Sequence, residues 1–259
     1  MCILFIAVNQ HPEYPLIIAA NRDEFHQRPT LASHFWQEHP SLLAGKDKTA
    51  GGTWMGINTD GRISALTNIR APGKERESAV SRGELALNYL TQKLTQSDYL
   101  KTLEASHLDY NGYNLLFGEL TKLKVYNSFD NSAYDLKDGV YGLSNASLNS
   151  PWPKLDAGRS ALADYCLNAG SLRYEHLFEL LKNTKPADDK FLPQTGISIE
   201  WERKLSSIFI KSPEYGTRSS TVLLVDQNNH VCWEERTFNP DAELMGTQHF
   251  EFDINPSTS

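Results

Sequence analysis

Cys2-Ile3-Leu4-Phe5-Ile6-Ala7-Val8 and Leu16-Ile17-Ile18-Ala19-Ala20-Asn21-Arg22-Asp23-Glu24 are the two stretches whose reading decides the fold. The first is an unbroken apolar run of strand length, a buried-strand signature. His11, Pro12 and Pro15 then mark a turn. The second apolar run ends in four polar residues, Asn21 to Glu24. In an extended strand Asn21 and Asp23 share one face, and Arg22 and Glu24 share the other. Two consecutive strands joined by a turn form an antiparallel pair, so the chain begins as a sheet with a polar rim.

The same alternation of short strands and turns continues outward. Residues 27–41 contain proline and histidine, lack periodicity and read as a loop. Residues 50–58 form a glycine-punctuated strand, and Thr59-Asp60-Gly61 is a hairpin turn signal. Residues 63–67 return as a strand that closes on Asn68. Ser81 and Glu84 have the spacing of a capping box, which opens a helix running to Leu94. A second helix is expected over residues 97–105. Residues 113–117 and 123–126 read as a hairpin, and residues 140–145 as a short strand ending in Asn145. Helices are expected over 157–167 and 174–181, and a Pro- and Asp-rich loop over 184–196. Residues 220–225 and 231–237 are the closing strands. Strands therefore cluster at both ends with helices between, an order that suits an α+β fold of two antiparallel sheets flanked by helices. One domain over 1–240 is expected, followed by a polar, loosely attached tail over 241–259.

Composition narrows the function classes. The chain has 259 residues, a formal net charge of −7 and 22% charged residues. No basic stripe supports a nucleic-acid partner. No stretch approaches the ~18 apolar residues needed to span a bilayer. Neither G-x-G-x-x-G after a strand nor a P-loop is present, so nucleotide binding has no support. The three cysteines, Cys2, Cys166 and Cys232, are widely spaced. They form no C-x-x-C pair, so no zinc or redox motif is signalled and no metal or cofactor is expected. Scattered free cysteines without a leader pattern suit a cytoplasmic protein with a small-molecule substrate or ligand. The oligomeric state is left open.

The chemistry concentrates at Cys2. Removal of Met1 would leave Cys2 with a free α-amino group, whose pKa of about 7.7–8.0 makes it a usable base at neutral pH. One residue would then hold nucleophile and proton acceptor together. Asp23 could fix the amine by a charge-assisted hydrogen bond. Asn68 and Asn145, each closing a short apolar strand, could donate to an oxyanion. Arg218 could supply positive charge to a thiolate or a substrate carboxylate. Each residue also has an ordinary use: a small apolar strand residue for Cys2, turns for the asparagines and Asp23, a surface cation for Arg218.

Met1-Cys2-Ile3, Ala20-Asn21-Arg22-Asp23-Glu24-Phe25, Gly51-Gly52-Thr53-Trp54-Met55-Gly56, Ala65-Leu66-Thr67-Asn68, Arg82-Gly83-Glu84-Leu85, Tyr141-Gly142-Leu143-Ser144-Asn145 and Tyr215-Gly216-Thr217-Arg218 together resemble the NRDE family, also called transport and Golgi organisation protein 2. The resemblance runs from Met1 to about Arg236. A more distant one links the chain to choloylglycine hydrolases and penicillin V acylases, which also begin Met-Cys. It implies a four-layer αββα sandwich of the N-terminal-nucleophile hydrolases. It implies Cys2 as nucleophile, Asn145 in the oxyanion hole, and Asp23, Asn68 and Arg218 at the site. Asn21, Arg22 and Trp54 are then expected to line the binding pocket. The acylase motif carries an arginine where this chain has Ala20. Two activities are compatible: hydrolysis of a linear amide (less readily a thioester), or non-catalytic binding or trafficking of haem or an acyl-lipid metabolite.

Overall fold

The computed structural model describes residues 2–76, 78–168 and 174–254. In chain order the elements are β1 (Cys2–Val8), β2 (Leu16–Phe25), β3 (Thr30–Phe35), β4 (Leu42–Asp47), β5 (Met55–Asn58), β6 (Arg62–Asn68), α1 (Gly83–Thr91), α2 (Gln96–Ser106), β7 (Tyr113–Glu119), β8 (Lys122–Asn127), β9 (Ser132–Asp135), β10 (Gly139–Leu143), α3 (Pro153–Asn168), α4 (Tyr174–Leu181), α5 (Ile199–Lys204), β11 (Tyr215–Val225), β12 (His230–Phe238) and β13 (Leu244–Asp253).

The two opening strands pair antiparallel, with Cys2 opposite Arg22 and Val8 opposite Leu16. They lie inside a six-stranded sheet of order β10-β1-β2-β11-β12-β13, while β3 to β9 follow one another as a seven-stranded meander. Both sheets are antiparallel throughout the described residues. Leu4, Ile6, Ile18 and Leu223 of the first sheet meet Leu43, Ile57, Ile63 and Leu116 of the second in one core, so the sheets stack face to face. On the outer face of the first sheet, Ile3, Phe5, Ile17 and Val222 pack against Leu155 and Leu162 of α3 and Leu177 and Phe178 of α4. On the outer face of the second, Leu115 and Phe117 pack against Leu85 and Tyr89 of α1 and Tyr99 and Leu103 of α2. The result is the expected αββα order. It follows from strands apolar on both faces, which must be covered twice.

Several local expectations change. Residues 27–41 hold strand β3, which pairs with β4. Trp36, at the turn between them, is buried and donates from Nε1 to the Ala44 carbonyl at 2.9 Å. Residues 50–54 are not strand, and β5 starts at Met55. The capping box does not form. The helix begins at Gly83 without a side-chain cap, and Glu84 accepts instead from the Tyr110 hydroxyl at 2.5 Å. Residues 244–253, read as tail, form edge strand β13 on β12. Phe250 and Phe252 carry it, packing on the core and edge-on to Phe35. Residues 184–196 contain only a 3₁₀ turn at Asp189–Phe191, and the unexpected α5 follows.

Candidate active site at the polar end of the first sheet

Cys2 is the first residue of β1 and stands at the end of the sheet where β2 turns polar. Side chains alternate along the pair, so Cys2, Ala20 and Arg22 face the gap between the sheets, and Asn21 and Asp23 face the helices. The contacts agree. Cys2 and Ala20 belong with the inter-sheet core. Asn21 Nδ2 donates to the carbonyls of Leu181 and Ile208 at 2.9 and 3.0 Å, and its Oδ1 accepts from Ser220 Oγ at 2.6 Å. Asn21 is therefore a buried brace between β2, α4 and the loop before β11, and its side chain is spent there and not on the main cleft.

Arg22 lies over the Trp54 ring, 4.2 Å from its centroid. Its Nη1 is buried without a hydrogen-bond partner among the described residues. Trp54 lies flat because residue 45 is glycine: a Cβ there would come within 2.3 Å of the indole. Gly52 serves a second close approach, since a Cβ on it would come within 2.5 Å of the Gly83 carbonyl carbon. Thr53 N donates to the Gly83 oxygen at 3.1 Å. The Gly51-Gly52-Thr53-Trp54 and Arg82-Gly83-Glu84 motifs are thus two halves of one backbone contact. It carries Arg82 to the rim of the site.

These residues enclose a cleft of about 280 Å³, lined by Cys2, Arg22, Asp23, Trp54, Asn68 and Arg82 among others. Arg28 and Arg76 also reach it. Arg28 is paired with Asp47 at 2.6 Å, whereas Arg76 and Arg82 spend their hydrogen bonds on the neutral carbonyls of Leu108, Tyr110 and Gly112. An adjoining apolar groove of about 480 Å³ shares Glu24, Arg28, Asn68 and Arg82 with the cleft and continues along Ile69, Trp201 and Tyr215.

Asp23 is buried behind Cys2. Its Oδ1 accepts from Thr217 Oγ1 at 2.7 Å, and its carbonyl accepts from the Tyr215 hydroxyl at 3.0 Å. Burial raises the carboxyl to about 6, while Lys154 and the Thr217 hydroxyl pull it down. Lys154 is buried as well and donates to the Leu205 carbonyl at 2.9 Å. Burial lowers its ammonium to about 8, and Asp23 opposes that shift. Burial pushes the Cys2 thiol up, Asp23 adds to this, and Arg22 acts the other way.

Asn68 and Asn145 are brought together. Asn145 Nδ2 donates to the Asn68 carbonyl at 2.9 Å, and Arg70 N donates to the Asn145 carbonyl at 2.8 Å. The neighbouring Ser144 Oγ donates to the Cys2 carbonyl at 3.2 Å, so the Ser144–Asn145 corner holds the backbone of Cys2. Thr67 Oγ1 and Asn114 Nδ2 donate to the Ser144 carbonyl from behind. Arg218 sits at a bulge in β11 and donates to the carbonyls of Phe25 and Arg28 at 2.9 and 3.1 Å. It clamps the chain after β2 and does not line the cleft with Cys2. Met1 lies outside the described residues.

Sequence reasoning missed Lys154, Thr217 and Arg82 as members of this end of the molecule. Thr217 and Arg82 lie within the quoted motifs and were legible as motif positions. Lys154 carries no signal, being a single lysine at the start of a helix.

A model of the family described as Transport and Golgi organisation 2 matches residues 1–240. The Transport and Golgi organization protein 2 homolog of Bos taurus is 36% identical over 273 residues, covering 97% of this chain and 99% of that protein. The Homo sapiens homolog is 33% identical over 275 residues, covering 98% and 99%. The Drosophila melanogaster protein of the same name is 28% identical over 281 residues, again covering 98% and 99%. Among solved structures, a cysteine-to-alanine mutant of the conjugated bile acid hydrolase from Clostridium perfringens superposes with a TM-score of 0.52 at 8% identity, over 99% of this chain and 98% of that one. At that identity the likeness is one of fold, the fold of the N-terminal-nucleophile hydrolases.

Proposed function

The chain belongs to the Transport and Golgi organisation 2 family, and we propose that it is an N-terminal cysteine hydrolase of a linear amide, a thioester being the less favoured substrate. The observation that carries this reading is the position of Cys2. It is the first residue of an inner strand, it lines a cleft together with the buried Asp23 and with Asn68, and Ser144, beside the Asn145 that bonds to Asn68, holds its carbonyl. Sharing a fold with a conjugated bile acid hydrolase supports the reading.

Loss of Met1 frees the α-amino group of Cys2, which Asp23 holds. Cys2 Sγ attacks the substrate carbonyl carbon while the amine takes the thiol proton. The carbonyl π bond opens, and the oxyanion accepts from the second N–H of Asn145 Nδ2 and from a main-chain donor near Asn68. Collapse of the tetrahedral intermediate breaks the C–N bond, and the ammonium returns the proton to the departing amine. Water then attacks the thioester, again giving a proton to the α-amine, and the acid leaves as the thiol is restored. Arg22 fills the place of the arginine that the acylase motif has at Ala20. Residues 20 and 22 share a face, so Arg22 stands one pleat further on, opposite Cys2. Its charge favours the thiolate against the burial that opposes it.

The test has two steps. Intact mass of the purified chain should be short by one methionine. A panel of N-acyl amides should then be cleaved by wild type and not by Cys2→Ala. Full turnover by Cys2→Ala on a confirmed substrate removes the mechanism.

The cleft's lining favours a second reading, a binder that keeps the fold without the chemistry: Arg22, Arg76 and Arg82 reach it and could hold the carboxylates of haem or of an acyl-lipid metabolite. Among the described residues no histidine lines the cleft, so haem iron there would take Cys2 Sγ as its axial ligand. A Soret shift lost in Cys2→Ala, with Met1 retained, selects this reading; no shift, or one unaltered in Cys2→Ala, removes haem.

A further inference from the structure

The far end of the first sheet carries a group of side chains that the proposed hydrolase does not use. Strands β12 and β13 pair with His230 opposite Asp253, Cys232 opposite Glu251 and Glu234 opposite His249. Alternation places all six on one face of the hairpin, the opposite face to Val231, Trp233, Phe250 and Phe252 in the inter-sheet core. Through β11 and β2, Cys232 lies in register with Leu224, Ile17 and Ala7, at the other end of the strands from Cys2.

We propose that this face binds a divalent transition-metal ion of the zinc type, ligated by His230 Nε2, Cys232 Sγ and a Glu251 carboxylate oxygen. One ligand atom from each of the three residues lies within 4.8 Å of the others. Cys232 Sγ stands 3.9 Å from Glu251 Oε1, and His230 Nε2 stands 4.0 Å from Glu251 Oε2. Tetrahedral zinc, with bonds of about 2.0–2.3 Å, holds its ligands roughly 3.3–3.7 Å apart. Glu251 is exposed and the other two are half-exposed, so small side-chain rotations close the difference. The histidine is already set for the task. Asp253 Oδ1 holds its Nδ1 at 2.7 Å, which fixes the ring and turns Nε2 toward Glu251. A carboxylate behind a ligating imidazole is the usual outer-shell partner of a metal-bound histidine. His249 repeats the arrangement, with Nδ1 3.5 Å from Glu234 Oε2 and Nε2 3.1 Å from Glu251 Oε1, so it orients the Glu251 carboxylate. Water completes the tetrahedron on the solvent side.

An ion-pair network explains the histidines and carboxylates; the thiol, at the edge of the apolar cluster on this face and 3.9 Å from Glu251 Oε1, adds the soft ligand that a zinc-type ion takes. Nitrogen, sulfur and carboxylate together suit zinc or cobalt better than magnesium or calcium, which take oxygen alone. The ion would also have a mechanical effect. It joins β12 to the edge strand β13, adding to the ladder, the two phenylalanines and the His230–Asp253 and Glu234–His249 pairs that already hold it.

The test is zinc titration of the full chain against a competing chromophoric chelator, with cobalt as a spectroscopic probe. One zinc per chain is expected in wild type and equally in Cys2→Ala, which separates this site from the cleft and leaves it standing whether or not the hydrolase reading holds. Affinity should fall at least tenfold in Cys232→Ala, His230→Ala and Glu251→Gln. Circular dichroism checks that each variant is folded. The thiolate-to-cobalt charge-transfer band should vanish in Cys232→Ala alone among the cysteine variants. Unchanged affinity in folded Cys232→Ala, or no zinc retained by wild type, overturns the proposal.

Discussion

Asp23 carries a carboxyl that burial raises to about 6 from an ordinary value of 3.8. The sign of its effect follows. Between those values the folded chain holds a proton that the unfolded chain has lost, so stability falls as pH rises from about 4 to about 6. Asp23→Asn should abolish that slope. Urea unfolding across this range should show wild type losing roughly 1–3 kcal/mol relative to the variant, since a tenfold change in proton affinity is worth about 1.4 kcal/mol. Activity should move the opposite way, because an ionised Asp23 is needed to hold the α-amine. The acid limb of the rate profile should therefore follow the α-amine, and Asp23→Asn should shift it to lower pH and remove most of the turnover. Asn145→Ala tests the other side of the site. It should lower kcat by about 10²–10³ with little change in KM, as loss of one oxyanion donor does elsewhere. A smaller loss than tenfold would leave Asn145 as only the brace that its bond to the Asn68 carbonyl already makes it.

Among the elements, strands that are continuous apolar runs were readable, including the edge strand β10, whereas the edge strands β3, β9 and β13 and the short inner strand β4 were not. β1, β2 and β11 are apolar on both faces because helices cover one side and a sheet the other, and such runs stand out in any window. β3 and β13 are edge strands with one wet face, so half their residues are polar and the chain looks like loop or tail. Phe250 and Phe252, at a spacing of two, were the available signal. The capping box failed for a similar reason. Ser81 and Glu84 have the right spacing, but the start of α1 is fixed by the Gly52–Gly83 approach, a tertiary contact no local motif records. Gly52→Ala should therefore be costly despite its small size. The added methyl meets backbone, which cannot rotate away, so a loss of about 1–3 kcal/mol is expected from overpacking. Gly51, with φ +77 and nothing within 4 Å, faces no such obstacle and is restricted only by its backbone angle. Denaturant midpoints of the two alanine variants separate the effects: a fall in cleft affinity should accompany Gly52→Ala alone, because Arg82 moves with the helix start.

At the scale of the molecule, the site end depends on a buried charge network assembled from distant segments. Arg70, just after β6 in the second sheet, pairs with Glu202 of α5 at 2.6 Å, with the side chains only 6% and 3% exposed. Glu202 Oε1 also accepts from Thr195 N at 2.9 Å and Thr195 Oγ1 at 2.5 Å, so it anchors the loop over 184–196. Lys154 of α3 ties back to Leu205, and Arg70 lies 5.1 Å from the Trp152 ring centroid. This network was illegible in the sequence because its members are separated by up to 132 positions and none belongs to a recognisable motif. Removing one partner strands a charge away from water, so Glu202→Ala should cost about 3–5 kcal/mol. Replacing both, as Arg70→Met with Glu202→Leu, should recover most of that loss because an apolar pair needs no desolvation of charge. Stability and function should then separate. The double variant refolds the core but no longer anchors Thr195, so the groove along Ile69, Trp201 and Tyr215 loses its fixed wall, and KM should rise while kcat holds. Urea midpoints and steady-state kinetics on the same three proteins decide the matter. A Glu202→Ala midpoint equal to that of wild type would mean the pair is no keystone of this end of the fold.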